Sequence, residues 1–231
     1  REFCDAILIE TMSDLYEIKA AVIAAKENCS LPIFVTMTID ENGRLLTGAD
    51  IPTAVAVLEG LGVAALGLNC GLGPLEMEKH IPALLEFASV PVIVNPNAGM
   101  PHDAGGKAVY SITPDVFAAS VKRMMSAGVA VAGGCCGTTP KFISQTVAAC
   151  RDIKLTPPTP KNDTVVTSYS RRVVIGGDSG TVIIGERINP TGKPKLKAAL
   201  RAGDYSTITK IALEERDAGA HILDVNAGLP D

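Results

Sequence analysis

Six cysteines punctuate the chain, and three of them stand where thiols can do chemistry. Cys135 and Cys136 are adjacent inside "AGGCCGTTP" (Ala132–Pro140), directly after the apolar run "AGVAVA". Adjacent cysteines are poorly placed to bridge each other, because disulfide geometry wants a wider separation. Cys70 follows a second apolar run, "AALGLN" (Ala64–Asn69). Three thiolates ending strands of one sheet can hold a Zn²⁺ and leave its fourth position open, the mark of a catalytic rather than a structural site. Gly133, Gly134 and Gly137 let the backbone bend so that both neighbouring sulfurs face one ion. Cys4, Cys29 and Cys150 fall elsewhere and read as small buried hydrophobes.

Other polar groups recur at the same kind of position. Glu10, Thr38, Asn69 and Asn95 each close an apolar run. Further along, Glu186 with Arg187 and Asn189, then Asp224 and Asn226, do the same. On residue type alone, Glu186 reads equally as a helix-capping acid and Asn226 as a turn residue. His80, His102 and His221 lie off these strand ends and read as solvated or structural. "GGDSG" (Gly176–Gly180) reads as a tight turn.

What must position these groups is a βα alternation. Strands are expected at Ala6–Glu10, Ile33–Thr38, Ala64–Asn69, Val92–Asn95 and Val129–Gly134; their continuous hydrophobicity suits a parallel sheet covered by helices. Helical patterns fall at Ser13–Glu27, Ile51–Gly60, Pro74–Ala88, Pro114–Ala127 and Pro140–Ile153. Chemistry at the carboxyl ends of strands is the habit of (β/α)8 barrels, and no GxGxxG turn argues for an open dinucleotide fold. The expectation is an α/β chain: a partial (β/α)8 TIM barrel over residues 1–153, holding the later strands and lacking the opening units. A Pro-, Thr- and Ser-rich linker follows over 154–180, with "RRVVIGGDSG" as a short strand pair. Residues 181–231 then begin a second barrel, with strands at Thr181–Glu186 and His221–Asn226 and helices at Lys195–Ala202 and Ser206–Ala218.

Bulk properties exclude several classes. The 231 residues carry a net charge of −4 with 20% charged residues, and no basic block offers a nucleic-acid footprint. No apolar run approaches a membrane span and no leader pattern opens the chain. Sparse cysteines argue against a disulfide-stapled module and for a reducing, cytoplasmic setting.

The motifs also carry a resemblance. "GLNCGLGP" followed by "GGCCGTTP" resembles the homocysteine S-methyltransferase family, which implies zinc on Cys70, Cys135 and Cys136. "LIETMSD" and "NPNAG" are similar to the family's patterns, which implies that Glu10, with Asn69 and Asn95, contacts homocysteine. "IGERINPTG" and "LDVNAG" resemble the opening of the pterin-binding domain in the cobalamin-dependent methionine synthases. That likeness implies a folate site using Glu186, Asn189, Asp224 and Asn226. The activity then expected is a methyltransferase of methionine biosynthesis. A zinc-activated homocysteine thiolate would take a methyl group from methylcobalamin, carried on another domain or corrinoid protein, with methyltetrahydrofolate as the methyl source. Alternatives are a relative using another donor, such as betaine or S-methylmethionine, and a non-catalytic zinc-containing scaffold for a corrinoid protein.

Overall fold

The computed structural model describes residues 4–106 and 108–229. From the amino end come β1 (Ile7–Met12), α1 (Leu15–Asn28), β2 (Ile33–Met37), α2 (Ile51–Gly60), β3 (Ala65–Asn69), α3 (Pro74–Glu78), α4 (Ile81–Phe87) and β4 (Val92–Asn95). There follow β5 (Pro101–Asp103), β6 (Ala108–Tyr110), α5 (Pro114–Ala127), β7 (Val131–Ala132) and α6 (Pro140–Cys150). Strands β1, β2, β3, β4 and β7 form one parallel sheet in that spatial order, so chain order and sheet order coincide. The α/β reading with a parallel sheet is thereby met.

Local chemistry explains where the helices begin and end. Asp14 caps α1 by accepting from the Tyr16 and Glu17 N–H groups, and Asp50 caps α2 through Thr53. Pro114 and Pro140 sit in the first turns of α5 and α6, where a missing N–H costs nothing. The one helix expected over Pro74–Ala88 is instead two, α3 and α4. Pro82 is the cause, because its ring would meet the Glu78 carbonyl of a continuous helix and it has no N–H to offer.

One face of the sheet makes the core. Ile33, Val35 and Met37 of β2, Leu66 and Leu68 of β3, and Val92 and Val94 of β4 pack with Ile18, Val22, Leu58, Leu84, Phe117 and Val121 of the helices. Burying a side chain of this size contributes about 1.5–3 kcal/mol. Strand β1 runs two residues past its expected end, with its register broken between Ile9 and Met12 and Thr11 at φ 64°. Glu10 and Thr11 therefore occupy a bulge, a device that re-aims side chains beside functional sites. The antiparallel β5–β6 hairpin was not expected; its short, half-polar strands give little periodic signal.

The stretch after α6 is held rather than loose. The Lys161 N–H donates to Ser89 Oγ at 3.0 Å, and the Tyr169 hydroxyl donates to Asp14 Oδ2 at 2.6 Å. The Arg172 guanidinium lies 4.2 Å from the centroid of the Phe87 ring. These contacts belong to a first compact unit that runs to Asn162 and includes Thr167–Arg172.

The second compact unit takes Asp163–Val166 and the chain from Val173 onward. It contains β8 (Thr164–Thr167), β9 (Arg172–Ile175), β10 (Ile184–Ile188), α7 (Pro194–Arg201), α8 (Tyr205–Asp217) and β11 (Ile222–Val225) at its core or margin. Strand β9 thus takes up the start of "RRVVIGGDSG", but pairs with β8 upstream rather than within the motif. Strands β10 and β11 are parallel neighbours, with Ile184 opposite Ile222 and Ile188 opposite Val225. β10 begins three residues later than expected, because the Ile183 carbonyl is the first to meet β11, accepting from His221 and Ile222.

Candidate metal centre

Cys70 stands one residue beyond the end of β3, and Cys135 and Cys136 stand on the turn between β7 and α6. The Cys70 and Cys136 sulfurs are 3.8 Å apart, the Cys135 and Cys136 sulfurs 3.9 Å, and all three lie within 4.8 Å of one another. Tetrahedral zinc with Zn–S bonds of about 2.3 Å requires sulfurs roughly 3.8 Å apart. The donor set and its spacing therefore fit one zinc ion. Among the described residues no further His, Cys, Asp or Glu joins this group.

The backbone is shaped to bring them together. Cys70 adopts φ 56° and Gly71 φ 67°, two left-handed residues in succession that turn the chain sharply out of β3. The Cys70 N–H is spent on the Asn95 carbonyl, 3.1 Å away, which ties the turn to β4. On the other side, the Cys135 N–H donates to the Pro96 carbonyl at 2.9 Å, and Thr138 Oγ1 donates to the Cys135 carbonyl at 2.7 Å. Gly137 has φ 79°, and a Cβ there would fall 2.4 Å from the Tyr110 ring. Here only glycine fits.

Buried amides support the sulfurs. Asn69 is fully buried; its Nδ2 donates to Thr11 Oγ1 at 2.7 Å and approaches the Cys135 sulfur at 3.9 Å, while its Oδ1 accepts from the Thr11 N–H at 2.8 Å. Asn97, also buried, accepts the Cys136 N–H at 3.1 Å. At Cys70 burial opposes ionisation, yet the Gly71 N–H, the two other sulfurs and Asn97 outweigh it and hold the thiol below its ordinary value. At Cys135 burial and the charge on Cys70 push the thiol up to about 11. The first thiolate thus resists the second, and a cation among the sulfurs would remove that conflict.

The other expected site residues are placed as follows. Asn69 is spent on Thr11 and Cys135, so it holds the sulfur side of the centre. Asn95 is half-buried, and its Oδ1 lies 2.5 Å from where a Cβ on Gly133 would be, which keeps that position glycine. Glu10 is exposed on the β1 bulge. In the second unit Asn189 Nδ2 donates to Glu186 Oε1, and Asn226 Nδ2 reaches Asn189 Oδ1 at 3.5 Å, so three of the four polar residues form a chain. Glu186 lies within β10 rather than at its end, and Asp224 is exposed and joins none of the three among the described residues. Thr11, Asn97 and Tyr110 escaped the sequence reading, although Asn97 sits inside the quoted "NPNAG". Glu215 escaped it too: from α8 this buried carboxylate accepts the Arg187 N–H at 2.6 Å and occupies the space a side chain on Gly185 would need. Nothing in the periodicity of α8 marked it.

A parallel α/β unit with a three-cysteine cluster at its strand ends is a defined class of site. The homocysteine S-methyltransferase family profile matches residues 1–150, and the chain belongs to that family. Over 227 residues the chain is 36% identical to the methionine synthase of Mycobacterium tuberculosis (strain ATCC 25618 / H37Rv), covering 96% of this chain and 19% of that protein. The Mycobacterium leprae (strain TN) methionine synthase is likewise 36% identical, over 236 residues, with 96% and 19% covered. The chain thus spans about one fifth of the length of the curated relatives it matches. The homocysteine methyltransferase MmuM from Escherichia coli in its apo form superposes with a TM-score of 0.52 at 26% identity, covering 64% of this chain and 50% of that one. Its metallated form gives 0.52 at 25% identity, covering 63% and 45%.

Proposed function

We propose that this chain carries the homocysteine-activating centre of a cobalamin-dependent methionine synthase, together with the start of its folate-binding part. The observation that carries the reading is the convergence of Cys70, Cys135 and Cys136 at zinc-like sulfur spacing. In this reading the sequential parallel sheet is an arc of a (β/α)8 barrel spanning residues 1–153. Residues 154–180 are the connection and 181–231 open the second barrel; residues 1–3, 107 and 230–231 of those spans lie outside the described residues.

Zinc bound by the three cysteines would keep a substrate thiol deprotonated near neutral pH and leave it nucleophilic. The chain's own residues would do the rest. Asn69 and Asn97 hold the Cys135 and Cys136 side of the centre, and Glu10, exposed on the β1 bulge next to Thr11, receives the amino group of homocysteine, with Asn95 lining the same strand ends. Glu186, Asn189 and Asn226 present a carboxylate and amides suited to the edge of a pterin ring, with Asp224 as a fourth contact. Methylcobalamin on another domain or corrinoid protein is the methyl donor, and methyltetrahydrofolate its source. No described helix is long and apolar enough to cross a membrane, which accords with a cytoplasmic enzyme.

The test measures metal content and ligand binding on the intact protein. One zinc per chain is expected, falling to none in Cys136→Ser with loss of homocysteine binding. Asn226→Ala should weaken methyltetrahydrofolate binding and spare both. Retained stoichiometric zinc in Cys136→Ser would sink the assignment.

A further inference from the structure

Two strands of the chain carry the same irregularity, and in each it falls at a glutamate. Along β10, Gly185 stands opposite Leu223 and Ile188 opposite Val225, so Glu186 and Arg187 share one opposing residue, Asp224. Along β1, Ile9 stands opposite Val35 and Met12 opposite Met37, so Glu10 and Thr11 share Thr36. Such a bulge is uncommon between parallel strands, and it re-aims the side chains it carries. In both strands a buried side chain takes the N–H of the second bulged residue. Asn69 Oδ1 accepts from Thr11 at 2.8 Å, and Glu215 Oε1 accepts from Arg187 at 2.6 Å.

For Glu215 that bond is the whole of its polar role. The residue is 5% exposed, and its Oε2 has no hydrogen-bond partner among the described residues. It reaches β10 because Gly185 carries no side chain: a Cβ there would lie 2.8 Å from both Cδ and Oε1 of Glu215. The carbonyl of Arg187 is held as well, accepting from Lys193 Nζ at 2.8 Å. The peptide units on both sides of Arg187 are thereby fixed. Immediately before them, Glu186 accepts from Asn189 Nδ2, and Asn226 Nδ2 reaches Asn189 Oδ1 at 3.5 Å. A buried carboxylate with one oxygen unpartnered is a costly way to fill space, and an apolar side chain would fill it at less cost. The bond to the Arg187 N–H gives the carboxylate its reason to be there.

We infer that Glu215 is a positioning residue of the pterin-binding site: by taking the Arg187 N–H it holds the bulge that aims Glu186 at Asn189 and Asn226. Asn69 does the same for the bulge that carries Glu10. Glu215 acts through the backbone of β10 and not on the ligand. This rests on the folate reading above.

The experiment titrates methyltetrahydrofolate into the intact protein and three variants, with thermal unfolding to show that each is folded at the assay temperature. Glu215→Leu keeps the bulk and removes the acceptor. Glu215→Gln keeps an acceptor oxygen, and Gly185→Ala crowds the carboxylate while removing nothing. Folate affinity should fall about 10-fold in Glu215→Leu and in Gly185→Ala, the scale of one lost hydrogen bond to a charged group. Glu215→Gln should bind folate as the parent does, and homocysteine binding should be unchanged in all three. Folded Glu215→Leu with the parent's folate affinity overturns the inference and leaves the folate reading intact. Glu215→Gln as weak as Glu215→Leu overturns it too, because an acceptor oxygen would then not suffice. A parent protein that binds no methyltetrahydrofolate overturns the folate reading and this inference with it. Should Glu215→Leu fail to fold, Gly185→Ala decides, and unaltered folate affinity there overturns the inference.

Discussion

Strand β3 in the first unit is buried at every residue, whereas β11 in the second leaves Leu223, Asp224 and Val225 exposed. Both strands read alike in sequence, as short apolar runs closing on an asparagine. The difference lies in their neighbours. β3 pairs with β2 and β4 beneath helices, while among the described residues β11 pairs with β10 alone. Among its described apolar side chains the second unit buries Ile188 and Leu196, against a continuous core in the first. Burial is a property of the assembly around a strand; hydrophobicity only makes a strand fit to receive it.

The largest expected effect that tests this contrast is truncation within each strand. Leu68 is wholly buried, and Leu68→Ala should lower unfolding free energy by about 3 kcal/mol. Leu223 is 37% exposed, and Leu223→Ala should cost less than about 1 kcal/mol. Urea unfolding of both variants reads the difference, and equal losses would break the comparison. Glycines sharpen it next. Gly137 has φ 79° and a ring 2.4 Å from the missing Cβ, so Gly137→Ala combines strain with a clash and should cost about 2–3 kcal/mol. Gly192 has φ 70° with open space around it, so Gly192→Ala should cost about 1 kcal/mol. Thermal unfolding that ranks them the other way would show that space around the residue does not matter.

Charge pairs should differ least. Arg123 donates twice to Glu78, at 2.7 Å each, and holds the Glu78 carboxyl below its usual range. Because the folded value is the lower one, this stabilisation is present above about pH 4.3 and is lost as pH falls through the lowered value. Half-exposed Arg123 limits the pair to about 0.5–1 kcal/mol, seen in Glu78→Gln at neutral pH and vanishing in acid. In the second unit Asp217→Asn breaks an exposed pair between adjacent residues, and its stability at neutral pH should match the parent's.

Much of this was legible from residue types. The strand at Val92–Asn95 and the helices at Ile51–Gly60 and Pro114–Ala127 have the expected bounds, because proline, aspartate caps and glycine stops act locally. The cysteine cluster was legible because paired thiols among glycines have no packing rationale. What escaped was set by distant partners. The bulge at Thr11 depends on Asn69, fifty-eight residues away in sequence, and the late start of β10 depends on where β11 begins. Tyr110 gave no signal, since a lone tyrosine in a glycine-rich segment does not announce that its ring will pack against Gly137.

Cys70 holds its sulfur in place with a backbone angle that β-carbon-bearing residues adopt reluctantly, at a cost of about 1–3 kcal/mol. Glycine would occupy the same φ of 56° without that penalty, and asparagine with less of it. Selection for thermal tolerance alone would therefore enrich Gly and Asn at position 70, yielding hardier proteins with no third thiolate. Library screens that score only survival on heating should lose Cys70 before Cys135, so a screen meant to keep the candidate metal site must score metal uptake in the same round.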